Sequence, residues 1–184
     1  MRYFFLLLSC CLLLSCNNKT TGNLPSTDQL PKVDAEANLQ KLGIKLPKPS
    51  SPVANYVNAV RTGNLIFLAG KGPLKEDGQY ITGKVGKDLS VQQGYEAARL
   101  VGVNQLAALK AEIGDLNRVK RIVKVLGMVN CTGDFANQPE VVNGFSDLMV
   151  AVFGDRGKHA RSAVGMASLP RNIAVEIELI VEVE

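Results

Sequence analysis

The chain has no tryptophan and one histidine, and aromatic residues make up only 5% of its 184 residues. A single histidine excludes a multi-histidine metal site. Charge is equally short of blocks. The 21 Lys and Arg and 17 Asp and Glu are scattered, with no run of five or six residues of one sign, so neither a basic nucleic-acid-binding arm nor an acidic tail is present. The formal charge of +4, with so few aromatic rings, argues against an RNA-binding surface and therefore against nucleic acid as a partner. No apolar run is long enough to span a bilayer either. The longest, Tyr3–Ser15, falls well short of the ~20 helical residues that crossing requires.

That run follows Arg2 and reads as the apolar core of an export signal. Leu13-Leu14-Ser15-Cys16 resembles the bacterial lipobox, in which cleavage precedes a diacylglycerol-bearing cysteine. Cys16 is therefore the expected lipid attachment site. Cys10 is the weaker choice, because cleavage there would leave Leu12–Leu14 in the mature chain, whereas polar residues follow Cys16 directly. The expected organisation is a lipoprotein signal peptide at 1–15, a flexible Asn-, Thr-, Pro- and Ser-rich tether at 16–35, and one domain at 36–184. The protein is then exported and anchored to a membrane, on the periplasmic or cell-surface side. Loss of Arg2 lowers the formal charge from +4 to +3. Cys131 is the one free thiol left after processing, so no internal disulfide can form, and it reads as a small buried residue at a strand end.

The apolar fraction of 46% supports a foldable domain with a real core. Residues 36–46 carry a short helical pattern stopped by Gly43. Asn55–Ala69 holds two apolar runs around Thr62-Gly63-Asn64, a β-hairpin signal. A third strand is expected at Gln79–Val85. Ser90 caps a long helical run closed by Gly114, Val119–Asn130 is β-branched and strand-like, and Pro139–Phe153 presents an apolar helical face. In the last segment Ile173, Val175, Ile177, Leu179, Val181 and Val183 alternate with residues that include Glu176, Glu178 and Glu182. Strict period two means one face on a core and one bearing carboxylates. The layout is α+β, a mixed sheet with two helices packed on one face. Arg161 lies just upstream, on what is expected to be the antiparallel neighbour of the last strand. A guanidinium there suits a bidentate grip on a substrate carboxylate.

The string ARSAVGMASLPRNIAVEIELIVEV, from Ala160 onward, resembles the signature of the RidA/YjgF family, also labelled endoribonuclease L-PSP. Tyr56-Val57-Asn58-Ala59-Val60, with Gly63-Asn64-Leu65 and Ala69-Gly70, resembles that family's N-terminal hairpin. The resemblance covers roughly Gly43 to Glu184, and the longer spacing between elements is similar to the YjgF/chorismate-mutase-like subgroup. It implies a chorismate-mutase-like fold and a homotrimeric barrel with clefts between subunits. It also implies cofactor-free and metal-free hydrolysis of reactive enamines or imines, such as 2-aminoacrylate, to a 2-keto acid and ammonia. Carried over by position, Arg161 holds the substrate carboxylate and Glu176 orients or activates water. Tyr56, Gly70, Asn143 and the backbone at Ala163 line the cleft. Asn143 stands one residue further from Arg161 than is usual, and Ala163 replaces a cysteine common in the family. His159 reads as a polar loop residue and Ser162 as a strand hydroxyl.

The chemistry itself asks little of the protein. An imine carbon is already electrophilic, so fixing the carboxylate and delivering water suffices. The alternative is a non-catalytic binder of small carboxylates or keto acids in the same clefts. Chorismate mutase activity shares the fold, but an Arg and a Glu are too common a pair to establish it.

Overall fold

The computed structural model describes residues 30–52 and 54–184. The expected signal peptide, the lipid site at Cys16, Cys10 and the tether as far as residue 29 lie outside the described residues. Leu30 is buried, and Arg156 Nε donates to the Pro31 carbonyl at 3.1 Å, so the chain is already against the domain before the first helix begins.

The elements are α1 (Ala35–Lys41), β1 (Ala59–Thr62), β2 (Leu65–Lys71), α2 (Val91–Ile113), β3 (Val119–Asn130), α3 (Gln138–Phe153), β4 (Ala160–Met166) and β5 (Val175–Val183). They build one five-stranded mixed sheet in the order β1-β2-β5-β3-β4, with helices on one face: the α+β architecture that the pattern predicts. The local signals account for the main boundaries. Ser90 and Gln93 form a reciprocal capping box at the start of α2, and Gly114 closes it. Pro139 occupies the first turn of α3, where its missing N–H costs nothing. Asp34 caps α1 through Ala37 N–H at 2.9 Å, and α1 ends just before Gly43, whose φ of +66° turns the chain away.

Two expectations are corrected. Residues 79–85 form only isolated bridges, Leu74 to Tyr80, Thr82 to Ile173, and Val85 to Leu89 and to Cys131. Gly83, at φ +117°, interrupts the extended run. The strand carrying Arg161 is also not the neighbour of β5. β3–α3–β4 forms a crossover unit that lays β4 parallel to β3 at the sheet edge, and β5 inserts between β2 and β3, antiparallel to both. The central position suits β5, because its apolar face (Val175, Ile177, Leu179, Val181, Val183) is buried along its whole length under the helices.

Close packing between α2 and α3 builds the core. Gly144 of α3 faces α2 so closely that a β-carbon there would overlap the Tyr95 carbonyl oxygen. Gly127 of β3 has a similar task, since its β-carbon would lie 2.6 Å from both methyls of Val142. The absent side chain lets α3 settle onto the sheet. A polar side chain joins this core. Gln105 of α2 is 1% exposed, and its amide donates to the carbonyls of Ala69 (3.0 Å) and Ile177 (2.6 Å). These carbonyls flank the irregularity between Leu68 and Lys71, where β2 has one residue more than β5.

The helix contact gives a direct test. Gly144→Ala should lower stability by at least ~2 kcal/mol, because both partners of the clash are backbone. Gly133→Ala, with nothing within 4 Å of the added carbon, should stay within about 0.5 kcal/mol of the parent. Urea unfolding of the two variants beside the parent measures the difference.

Candidate functional site

The register of the strands decides which side chains can meet. Arg161 pairs with Val125, which pairs in turn with Leu179, so Arg161 points to the helix-covered face. Glu176 pairs with Met128, which pairs with Val164, so Glu176 points to the opposite, helix-free face. The two residues expected to work together therefore stand on opposite sides of the sheet in one chain. Each has its own surroundings.

On the helix side, α3 supplies two acceptors to Arg161. Nη1 donates to Asn143 Oδ1 at 2.8 Å and to Ser146 Oγ at 3.1 Å. Asn143 thus meets Arg161 despite the longer sequence spacing, with the 3-10 turn Gly154–Gly157 joining α3 to β4. Gly127 contributes as well, because the close seat of Val142 brings the next residue, Asn143, down over β4. Ala163 lies two residues along β4, on the same face, beside Gly127 in the parallel ladder. Both bonds leave from Nη1, so among the described residues the Nε–Nη2 edge of the guanidinium remains available. That edge presents two parallel N–H groups, the geometry a carboxylate accepts best.

On the other side, Glu176 lines a cleft of about 390 Å³ with Tyr56, Gly70, Lys71, Tyr80 and Arg171. A side chain at residue 70 would collide with the Glu176 carboxylate, so glycine there is what gives the acid its room. Burial raises the Glu176 carboxyl above the usual carboxylate range, and the neighbouring Glu178 adds to the rise. Burial likewise lowers the Lys71 ammonium, whose Nζ donates to Asn58 Oδ1. Tyr56 is 49% exposed at the cleft mouth.

Sequence reasoning missed Arg171, which reaches the cleft because Arg171 and Asn172 both adopt left-handed backbone, φ +55° and +56°. Buried Asn130 holds this turn by donating to Asn172 Oδ1 (2.9 Å) and the Ile173 carbonyl (3.2 Å), and it accepts from Lys84 Nζ at 3.1 Å. It also missed Ser146, although Asn143 and Ser146 are three apart on one helix and must share a face. His159, read as a polar loop residue, lies in the loop before β4, half-buried and within hydrogen-bond distance of Ser146. Ser162, as expected, is a strand hydroxyl, accepting from Lys124 Nζ at 2.9 Å. Cys131 is buried just past the end of β3. Among the described residues no three His, Cys, Asp or Glu side chains gather as metal ligands. None of the described helices is long and apolar enough to cross a membrane.

The raised Glu176 carboxyl has a consequence for stability. Below the ordinary carboxylate value of 4.5, folded and unfolded chains both hold the proton and burial costs nothing. As pH rises from there through the raised value, the unfolded chain ionises first, so the parent loses stability. Glu176→Gln cannot titrate. Its stability relative to the parent should therefore rise over that interval and level off above it, which urea midpoints at pH 4 and pH 7 would show.

A family model described as "YjgF/chorismate_mutase-like, putative endoribonuclease" matches residues 36–183. The chain is 45% identical over 147 residues to Protein TCP17 of Trypanosoma cruzi, covering 79% of this chain and 92% of that protein. It is 30% identical over 128 residues to the 2-iminobutanoate/2-iminopropanoate deaminase of Escherichia coli K12, covering 70% of this chain and 87% of that one. Among solved structures it is similar to the protein Atu1372 of Agrobacterium tumefaciens, of unknown function, with a TM-score of 0.76 and 43% identity, covering 82% of this chain and 94% of that one.

Proposed function

Because the chain belongs to the YjgF/chorismate-mutase-like family, we propose that it hydrolyses small 2-imino acids, formed from enamines of the 2-aminoacrylate type, to 2-keto acids and ammonia. A relative named as a 2-iminobutanoate/2-iminopropanoate deaminase supports this substrate class. The observation that carries the reading is the state of Arg161. It is held on one nitrogen by Asn143 and Ser146 and keeps a carboxylate-shaped donor pair on its other edge.

In the proposed reaction the enamine takes a proton at its terminal carbon to become the imine. Water adds to the C=N carbon, and the resulting carbinolamine collapses to a C=O group as ammonia leaves. Arg161 holds the carboxylate through this sequence. Glu176 takes the proton from the attacking water and returns one to the departing nitrogen, a task suited to an acid whose burial has raised it toward working pH.

Since Arg161 and Glu176 face opposite sides of the sheet, the reading requires a second copy of the chain to complete each site, and we infer a homotrimer. The helix-free face supports association. It exposes Val60 (56%), Phe67 (42%) and Val164 (39%) around half-buried Leu126 and Ile180, more apolar surface than water comfortably covers. No metal or organic cofactor enters the chemistry, and no nucleic acid is needed as a partner. We further infer export and membrane anchoring through lipid on Cys16, supported by the Leu-Leu-Ser-Cys pattern.

The test supplies 2-aminoacrylate in situ from a dehydratase and follows keto-acid formation. Acceleration by the parent should fall at least ~100-fold in Arg161→Ala and in Glu176→Gln, the scale of a lost charge-assisted clamp or general acid/base. Mixing these two variants through unfolding and refolding should restore about a quarter of parental activity, the share of interfaces joining one chain's Arg161 to the other's Glu176. No acceleration by folded parent would refute the deaminase. Saturable keto-acid binding without turnover would then favour the non-catalytic binder. Separately, Cys16→Ser should shift the protein from the membrane to the soluble fraction.

A further inference from the structure

The one histidine of the chain lies one residue before β4 and closes a chain of hydrogen bonds that ends on Arg161. His159 Nδ1 is 2.6 Å from the Gly157 carbonyl, and Nε2 is 3.1 Å from Ser146 Oγ, which also receives Arg161 Nη1. The protons in this chain can be assigned by what each group is able to do. A guanidinium only donates, so Ser146 Oγ accepts from Arg161. The carbonyl of Gly157 only accepts, so Nδ1 carries the ring proton. Burial favours the neutral ring, and with its one proton on Nδ1 the unprotonated Nε2 accepts from the Ser146 hydroxyl. The ring is neutral in this arrangement, in the Nδ1–H tautomer. Its place is fixed on two other sides. Gly157 sits where a β-carbon would overlap the Met149 carbonyl oxygen, and Phe145 of α3 meets the imidazole edge-on at 6.4 Å.

We propose that His159 is the positioning residue for Arg161, holding Ser146 as an acceptor so that the guanidinium is tied on Nη1 and offers its Nε–Nη2 edge to a substrate carboxylate. This rests on the reading of Arg161 as the carboxylate-binding group. A proton on Nε2 would convert the ring to a donor toward Ser146, deprive the serine hydroxyl of its acceptor, and place a second positive charge beside Arg161. Repulsion between the two cations, with the serine oxygen now shared between two charged donors, would weaken the guanidinium's second tether. Burial, reinforced by Arg161, lowers the imidazole below its ordinary value, while the bond to Gly157 works the other way. The arrangement is therefore intact at neutral pH and gives way only in acid.

Other charges near this corner are engaged elsewhere. On the turn before the ring, Asp155 and Lys158 pair at 2.7 Å, and Arg156 donates to the carbonyls of Pro31 and Val119. On α3, Asp147 accepts from Tyr95 at 3.0 Å. Among the described residues Arg161 is the charged group facing the imidazole.

The experiment uses the full chain and two readouts. Long-range proton–nitrogen NMR of the single imidazole reports its tautomer without any ligand. The expected result is Nδ1–H at pH 7.5, with Arg161→Gln moving the titration to higher pH. Pyruvate affinity is then measured from pH 7.5 to pH 5. The parent should weaken about tenfold as the ring takes its proton, a loss comparable to one hydrogen bond to a charged group. His159→Leu, which leaves Ser146 without its acceptor, should already be about tenfold weaker at pH 7.5. His159→Gln offers an amide oxygen near the Nε2 position and cannot titrate, so it should keep affinity within about threefold and remove the imidazole's share of the pH dependence. A ring that only caps the turn after α3 would leave pyruvate affinity and its pH profile unchanged in both variants, and that result overturns the proposal. An Nε2–H tautomer in a protein that binds pyruvate overturns it alone. Parent protein with the expected tautomer and no pyruvate binding shows instead that the carboxylate reading of Arg161 has failed, and the positioning role falls with it.

Discussion

A β-strand presents each side chain to one face of its sheet, and this rule governs the site more than any single contact. With β5 central and β4 at the edge, the registers through β3 put Arg161 among the helices and Glu176 on the open face. Moving Glu176 to the other side means slipping β5 by one position, which would expose its apolar row, and moving Arg161 means slipping β4, which would take it away from Asn143 and Ser146. The separation is therefore as firmly built as the core. The proposed deaminase, in which a cation and an acid meet one substrate from opposite faces, would need a second chain.

The surroundings of Arg161 and Glu176 are built by different means. Around Arg161 the preparation is polar: an asparagine and a serine from one helix and a histidine from the following turn fix one nitrogen of the guanidinium. Around Glu176 it is steric. Gly70 clears space, the left-handed backbone at Arg171 and Asn172 turns a loop over the cleft, and buried Asn130 holds that loop from beneath. The first arrangement orients a charge, and the second partly desolvates one. The proposed deamination would draw on both, because it relies on placement of water against an imine.

Much of this was legible in the sequence wherever period and composition carry the information. The alternation of 173–184, the capped helix from Ser90 to Gly114 and the proline-led α3 all formed as their patterns predict. The family signature led to Arg161, Glu176, Tyr56, Gly70, Asn143 and Ala163. What could not be read was adjacency. Arg161 and the last strand are joined by a short connection, which suggests a hairpin, yet that connection passes over β3 because a β–α–β crossover returns parallel to the strand it left. The strand expected at 79–85 failed for a local reason, glycine conformation. Ser146 and His159 escaped notice because a serine on a helix and a histidine in a loop are ordinary until a third residue lies between them.

Gln105 shows how such a structure restricts its own history. Beside the additional residue in β2, one amide group from α2 donates to the carbonyls of Ala69 and Ile177 together. Leucine would fit the volume and leave the carbonyls without a donor, and glutamate would bring acceptors where donors are needed. A lineage that lost the bulge would have a glutamine amide with nothing to bond, and one that lost the glutamine would have a bulge it could not bury. The insertion in the strand and the residue on the helix are thus expected to be inherited together, so that relatives carry both or neither, although 36 positions of sequence separate Ala69 from Gln105.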